Sequence, residues 1–339
     1  MNAVYALLAV AALSCVGILV GASAEARAPV AVVVPYAACA IFLVGILARV
    51  WRWAATPVPF RIPTTCGQQK SLGWIKPATL DNPATGAAAA ARMALEVLLF
   101  RSLFRNTRCR IGEGKATFGE NKYLWLAAMG FHWSLLVILL RHLRLLIEPV
   151  PGFVMAIERI DGLFQIGHPV MYGSDVILVA ALLYLLVRRF REPLVRYISL
   201  FTDYFALFLL LGIALSGVLM RHLVRADVAG LKQFALGLVT FHPVAPPALS
   251  PVFLVHLLLV STLAAYFPFS KLVHMGGVFL SPTRNLANNN RSQRHINPWN
   301  YPVKTHSYLE WEEEFRDKIK AAGLPLEVEA EHGGKTTPD

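Results

Sequence analysis

The sequence predicts an all-α integral membrane protein: a six-helix transmembrane bundle with a cytoplasmic loop and tail. Three observations predict it. Of 339 residues, 56% are hydrophobic and only 16% charged, against roughly 25% charged in soluble domains; the mean hydropathy is +0.52. Six apolar runs, at 3–21, 29–50, 122–146, 169–188, 203–221 and 252–274, are long enough to cross a bilayer core as helices of ~20 residues. Basic residues gather in alternate connections between those runs, as they do on the cytoplasmic side of membrane proteins.

The elements follow in order. The first run precedes "GASAEA", which resembles a small-residue cleavage site. Met1-Asn2-Ala3 supplies no basic n-region, and the run is longer than a signal-peptide core, so it reads as a retained helix. The second run leads into a basic loop, 51–121, containing Arg52, Arg61, Lys70, Lys76, Arg92 and Arg101. Within it, 87–105 has the composition of an amphipathic helix lying on the inner membrane surface, with a partner-docking face as the rival reading. The connection after the fourth run begins Arg188, Arg189, Arg191 and adds Arg196. These two loops are expected to face the cytoplasm, which puts both termini of a six-span chain there. The polar tail holds Ser307 and Glu310 in capping-box spacing, followed by Tyr308, Trp311, Phe315 and Ile319 as a helical apolar stripe. Three regions result: 1–28, a first helix and short outer loop; 29–275, the main membrane domain; and 276–339, the tail.

The net charge of +11 reports cytoplasmic loops, and no basic stripe with interleaved aromatics suggests nucleic acid. Cys15, Cys39, Cys66 and Cys109 form no C-x-x-C, so any iron–sulfur cluster belongs to a partner.

Four histidines fall in the apolar runs. His132 and His142 lie ten residues apart on the third, His256 and His274 eighteen apart on the sixth. On antiparallel helices, His132 and His274 share one depth, His142 and His256 the other. Two cross-helix imidazole pairs at two depths suit two b haems, each iron ligated from both sides without covalent attachment. The expected rises, ~15 Å and ~27 Å, do not match; a continuous sixth helix would have to tilt, with Pro268 as a bend. Arg141, Arg144 and Lys271 flank the histidines as possible contacts for haem propionates, or as plain interfacial side chains. Rival readings are histidines satisfied by neighbouring helices in a haem-free membrane anchor, and an ion path through a transporter. The second usually recruits intramembrane carboxylates, which the third and sixth runs lack.

The ten and eighteen spacings resemble the nitrate reductase gamma-type cytochrome b family, a five-helix diheme core to which this chain adds one N-terminal helix. The strings "PFRIPTTCGQQKSLGWIK" (59–76), "GENKYLWL" (119–126) and "FPFSKLVHMGGVFLSPTRN" (267–285) are similar to the membrane cytochrome b subunits of sulfite-reduction-associated complexes, the DsrM family. That resemblance implies His132 and His274 on a cytoplasmic-side haem b and His142 and His256 on an exterior-side haem b. It implies electron exchange between membrane quinone, menaquinol or ubiquinol, and a cytoplasmic iron–sulfur subunit resembling heterodisulfide reductase, in dissimilatory sulfur metabolism. It further implies a second membrane subunit, an external multihaem cytochrome c and the bacterial inner membrane. The chain then serves as an electron-transfer subunit of a quinone-linked oxidoreductase.

If quinol is oxidised at the outer face, the exterior haem receives electrons first and the inner one delivers them. Candidate quinol-site residues there are His168, Glu148, Asp161 and Arg144, with Glu158, Arg221, His222 and His242 also at that end. A histidine titrating near neutrality suits proton transfer from a quinol.

Overall fold

The structure, a computed structural model, describes residues 1–56, 63–104, 108–112, 114–162, 169–246, 249–281, 283–291 and 305–327. It divides into two compact units, residues 1–58 with 62–293, and residues 59–61 with 294–339.

In the first unit the chain forms α1 (Asn2–Ala22), α2 (Arg27–Ala55), α3 (Gly86–Leu99), α4 (Arg101–Phe104), a β1–β2 hairpin (Arg108–Gly112, Lys115–Gly119), α5 (Lys122–Leu146), α6 (Gly152–Asp161), α7 (Gly173–Arg191), α8 (Pro193–Ile198), α9 (Phe201–Leu219), α10 (Val228–Val239), α11 (Pro251–Tyr266) and α12 (His274–Gly277). Among the described residues, five helical stretches are long and apolar enough to cross a membrane: Asn2–Ala22, Arg27–Ala55, Lys122–Leu146, Phe201–Val224 and Pro251–Phe269. The sixth expected span became α7, which carries Asp175 in its first turn and Arg188, Arg189 and Arg191 in its last. It still packs within the bundle, against α5 and α9.

The bundle's outer faces are apolar. Leu8, Leu19, Val44, Leu47, Leu126 and Leu139 stand more than half exposed, which hydrocarbon tolerates and water does not. Inside, α9 is shared by two of three buried clusters. Leu209 meets Val10 of α1 and Leu259 of α11; Leu210 meets Leu178 and Leu182 of α7, with Phe131, Leu135 and Ile138 of α5 against them. The third cluster joins Ala31, Phe234, Leu249 and Leu254 across α2, α10 and α11. Gly17 and Gly21 seat α1 on α11 in the small-xxx-small manner of membrane helices. A Cβ on Gly17 would lie 2.8 Å from the Val255 Cα, and one on Gly21 2.6 Å from the Pro251 Cα.

The basic loop is more structured than its sequence suggested. Thr85 caps α3 by accepting from the Ala88 amide at 3.3 Å. The helix stops at Phe100, which takes a left-handed φ of 47°, so the predicted 87–105 helix is two pieces. Its charged residues turn inward: buried Arg92 donates to the Thr64 carbonyl, and buried Glu96 accepts from the Ser102 amide and hydroxyl. The β1–β2 hairpin, with Gly114 at φ 73°, was not anticipated. Residues 64–82 are stitched to 283–290 by Thr64–Thr283 (2.9 Å), Gln69–Asn290 (2.6 Å) and Asn82–Asn288 (2.7 Å) bonds.

The second unit contains α13 (Tyr308–Ala321). The Ser307 hydroxyl accepts from the Glu310 amide at 3.2 Å, and the Glu310 carboxylate from the Ser307 amide at 2.9 Å, which is the expected capping box. Tyr308, Trp311 and Phe315 follow one another with ring centroids 5.7 Å apart and planes tilted by 35° and 39°, and Ile319 is buried.

Candidate functional site, two histidine pairs on the bundle helices

Each of the four histidines has its Nδ1 committed. On α5, the His132 Nδ1 lies 2.8 Å from the Ala128 carbonyl and the His142 Nδ1 2.7 Å from the Ile138 carbonyl. A helix offers this bond four residues back, because side chains lean toward its N-terminus. A carbonyl can only accept, so Nδ1 carries the proton and the Nε2 lone pair is left free. This is the tautomer that metal-ligating histidines adopt.

At the end of the bundle nearer the basic loop, His132 and His274 face each other with ring centroids 6.0 Å apart and planes at 83°. Two imidazoles bound to opposite sides of one metal, with metal–nitrogen bonds of ~2 Å, hold their centroids about 6 Å apart. The Phe100 ring packs at 4.9 Å from His132 and Phe131 at 4.8 Å. The left-handed Phe100 and the two indoles that close the end of α3 make this wall. Trp125 donates to the Leu99 carbonyl at 2.7 Å and Trp133 to the Leu98 carbonyl at 3.1 Å.

The expected five-turn helix from His256 to His274 does not form. The α-helix stops at Tyr266. Phe267–Phe269 and Lys271–Val273 are separate 3₁₀ turns, joined at Ser270 by an extended residue (φ −107°, ψ 176°). The break is built in. Pro268 has no amide hydrogen for a continuing helix, and it is fully buried against α2, where a Cβ on Gly45 would lie 2.7 Å from it. The Ser270 hydroxyl donates to the Phe267 carbonyl (2.9 Å) and accepts from the Leu272 amide (3.1 Å). His274 is thereby released from the α11 axis, and the mismatch of rises is absorbed by a break in the helix instead of by tilt. The Lys271 carbonyl, at 2.8 Å, fixes the His274 Nδ1.

Toward the other end, His142 lies within electrostatic reach of His256. The His256 Nδ1 sits 2.9 Å from the Ser216 hydroxyl of α9, and that hydroxyl donates to the Ile213 carbonyl at 3.0 Å. With its own proton so used, Ser216 accepts from Nδ1–H, and again Nε2 is left free. Gly217 makes room for the ring: a Cβ there would meet the His256 Cε1 at 3.4 Å. A five-residue π-turn, Met220–Val224, follows, an irregularity often found at functional sites. An apolar recess of about 230 Å³ opens between α2 and α11, lined by Pro35, Ala38, Cys39, Phe42, Leu257 and Ser261 among others.

The flanking cations are all engaged with carboxylates. Arg141 is buried. It donates to Asp175 (2.6 Å) and Ser174 (3.1 Å), and lies 3.1 Å from Asp161. Its guanidinium covers the Tyr172 ring at 3.7 Å, and Arg221 covers the same ring at 4.3 Å. Arg144 and the Tyr172 hydroxyl (2.6 Å) both donate to Glu158. Lys271 pairs with Asp203 at 2.9 Å. Of the quinol-site candidates, Asp161 and Arg144 join this network, Glu148 pairs with Lys232, and His168 lies outside the described residues. His242 is exposed, its Nδ1 on the Thr240 carbonyl.

Sequence reasoning missed Ser216, Gly217, Phe100, Tyr172, Asp175 and Asp203. Asp203 carried a signal, a lone carboxylate opening an apolar run; Ser216 and Gly217 looked like ordinary small residues in a membrane helix. One further cation stands out. The Arg49 Nε is buried without a hydrogen-bond partner among the described residues. Its guanidinium lies over Trp53 at 5.6 Å, and Trp53 in turn approaches Gly277, three residues beyond His274.

Among the described residues no three His, Cys, Asp or Glu side chains converge on one point. Paired imidazoles with free Nε2 atoms instead fit a metal whose remaining positions are filled by an acidic macrocycle, as in haem, and the Arg49 Nε, partnerless among the described residues, is a further donor for such a group.

Comparison with known proteins agrees with the architecture. Residues 91–293 match the nitrate reductase gamma subunit family. An "Hdr-like menaquinol oxidoreductase cytochrome b-like subunit" of Archaeoglobus fulgidus is 46% identical over 275 residues, covering 79% of this chain and 82% of the relative. Its counterpart in Archaeoglobus profundus is 43% identical over 272 residues, covering 78% and 81%. With its membrane-helix bundle and a match over more than half its length, this chain belongs to the nitrate reductase gamma subunit family.

Proposed function

We propose that this chain is a membrane-bound diheme cytochrome b that passes electrons between the membrane quinone pool and a cytoplasmic iron–sulfur partner. The observation that carries the reading is the His132–His274 pair, two rings 6.0 Å apart, each with Nδ1 bound to a backbone carbonyl. Two haem b groups would be held by His132 with His274 and by His142 with His256. When bound, each supplies an iron that accepts and releases one electron at a time.

The chain's own residues orient and protect. The four Nδ1 bonds fix the ligand tautomer. Phe100 and Phe131 exclude water from His132. Arg49, whose Nε has no hydrogen-bond partner among the described residues, would hold the acidic edge of the inner haem. Lys271, Arg141 and Arg144 remain propionate candidates only in competition with the carboxylates they now hold. At the outer end a quinol must lose two protons for two electrons. Glu158, reached by Arg144 and Tyr172, is a carboxylate placed to take one, together with the candidates Asp161, Glu148 and His168. The recess between α2 and α11 would admit an apolar substrate from the lipid.

The basic loop and the tail then face the cytoplasm, with both termini. The relatives named as Hdr-like menaquinol oxidoreductase subunits support menaquinol as the substrate and an Hdr-like iron–sulfur partner. The motifs at 59–76 and 267–285 support the DsrM reading and a role in dissimilatory sulfur metabolism.

The test is a haem assay on the purified membrane protein with reduced-minus-oxidised spectra. Two b haems per chain, reducible by a menaquinol analogue, are expected. Intact, folded protein with no haem overturns the proposal in favour of a structural anchor.

A further inference from the structure

Asp203 has no place in the function so far, yet it is nearly buried at the start of α9, with its side chain 8% exposed. A carboxylate there must be compensated, and three neighbours do so. The Leu200 amide donates to it at 3.0 Å and the Lys271 ammonium at 2.9 Å. The Arg189 guanidinium, which donates to Ser199, also acts on it electrostatically. The Lys271 side chain is 74% exposed, and among the described residues its anchor is this carboxylate. The same residue's carbonyl is the acceptor that orients the His274 Nδ1. Because the α-helix has ended at Tyr266, no i−4 carbonyl from a regular helix is available to do this; the Lys271–Val273 turn supplies the bond.

We propose that Asp203 and Lys271 are positioning residues for His274. Their ion pair fixes the turn that holds the imidazole and balances the charge around the inner haem. The inference rests on the proposal that His274 is a haem ligand. Neither residue touches the iron; they act through the Lys271 carbonyl and through their charges.

The two charges predict opposite effects. Asp203→Asn leaves the ammonium unbalanced and loosens the bond to Nδ1. Extra positive charge and a less basic imidazole both favour the reduced iron, so the inner midpoint potential rises. Lys271→Met leaves the carboxylate unbalanced while the backbone carbonyl remains, so the inner midpoint falls. Lys271→Arg keeps the charge and leaves it near wild type.

The experiment is a redox titration of full-length protein in membranes, followed by haem absorbance, with His274→Ala identifying the inner component. Expected are an upward shift in Asp203→Asn, a downward shift in Lys271→Met, and no movement of the outer component in either. A purely structural salt bridge would move both variants the same way, and that result overturns the inference. So does an unmoved inner component, or a shift confined to the outer one. Should Asp203→Asn not assemble, the fall in Lys271→Met with recovery in Lys271→Arg carries the test alone. Wild-type protein lacking two haems would instead overturn the reading beneath it.

Discussion

The two ends of the bundle hold their histidines in different ways. Away from the loop, His256 sits in an unbroken helix and leans on a side chain of a neighbouring helix, Ser216 of α9. At the loop end, His274 has left its helix and leans on the backbone of a 3₁₀ turn. The first arrangement is fixed by helix packing; the second by a local turn, an ion pair and a buried proline. A site built on packed helices resists adjustment, whereas one built on a turn can be tuned by its neighbours. Under the proposed function, this suits an outer end that would meet lipid-borne substrate and an inner end that would match a soluble partner.

The contrast predicts different sensitivities. The largest effect should come from Gly217→Leu, because a Cβ there already reaches van der Waals contact with the His256 ring at 3.4 Å, and the leucine branches beyond it compete with the ring for space. The outer haem component should be lost and the inner retained, read as a fall from two haems per chain to one. Gly45→Leu is the loop-end counterpart: it drives into Pro268 and should cost about 1–3 kcal/mol of overpacking. A broken segment can yield, so partial loss or broadening of the inner component is expected in the same assay. Ser216→Ala removes the His256 Nδ1 acceptor at a cost of about 1–3 kcal/mol. Both haems should stay, with the outer midpoint raised in a redox titration. Arg49→Gln should be mildest: normal assembly, with inner haem lost more readily on detergent titration while the outer haem is unaffected.

What was legible in the sequence follows the same contrast. The spans, the capping box at Ser307 and the four histidines could be read because hydropathy, cap spacing and polar residues in apolar runs are one-dimensional signals. The break after Tyr266 was not. "FPFSK" contains a proline that either bends or ends a helix, and only its packing on Gly45 shows which. The Arg141 cluster was half visible. Two arginines near a histidine suggested an anion, but Asp161 and Asp175, distant in sequence, already occupy Arg141. Phe100 carried no signal, since a left-handed phenylalanine is set by the chain around it. The hairpin at 108–119 was hidden inside a run read as a basic loop.

The most direct test of the account is the low-temperature electron paramagnetic resonance spectrum of the oxidised membrane protein and of four single His→Ala variants. Two low-spin ferric signals are expected in the wild type. His132→Ala and His274→Ala should erase the same one, and His142→Ala and His256→Ala the other. If His132→Ala and His274→Ala erased different signals, or neither erased one, the paired-ligand reading would be contradicted.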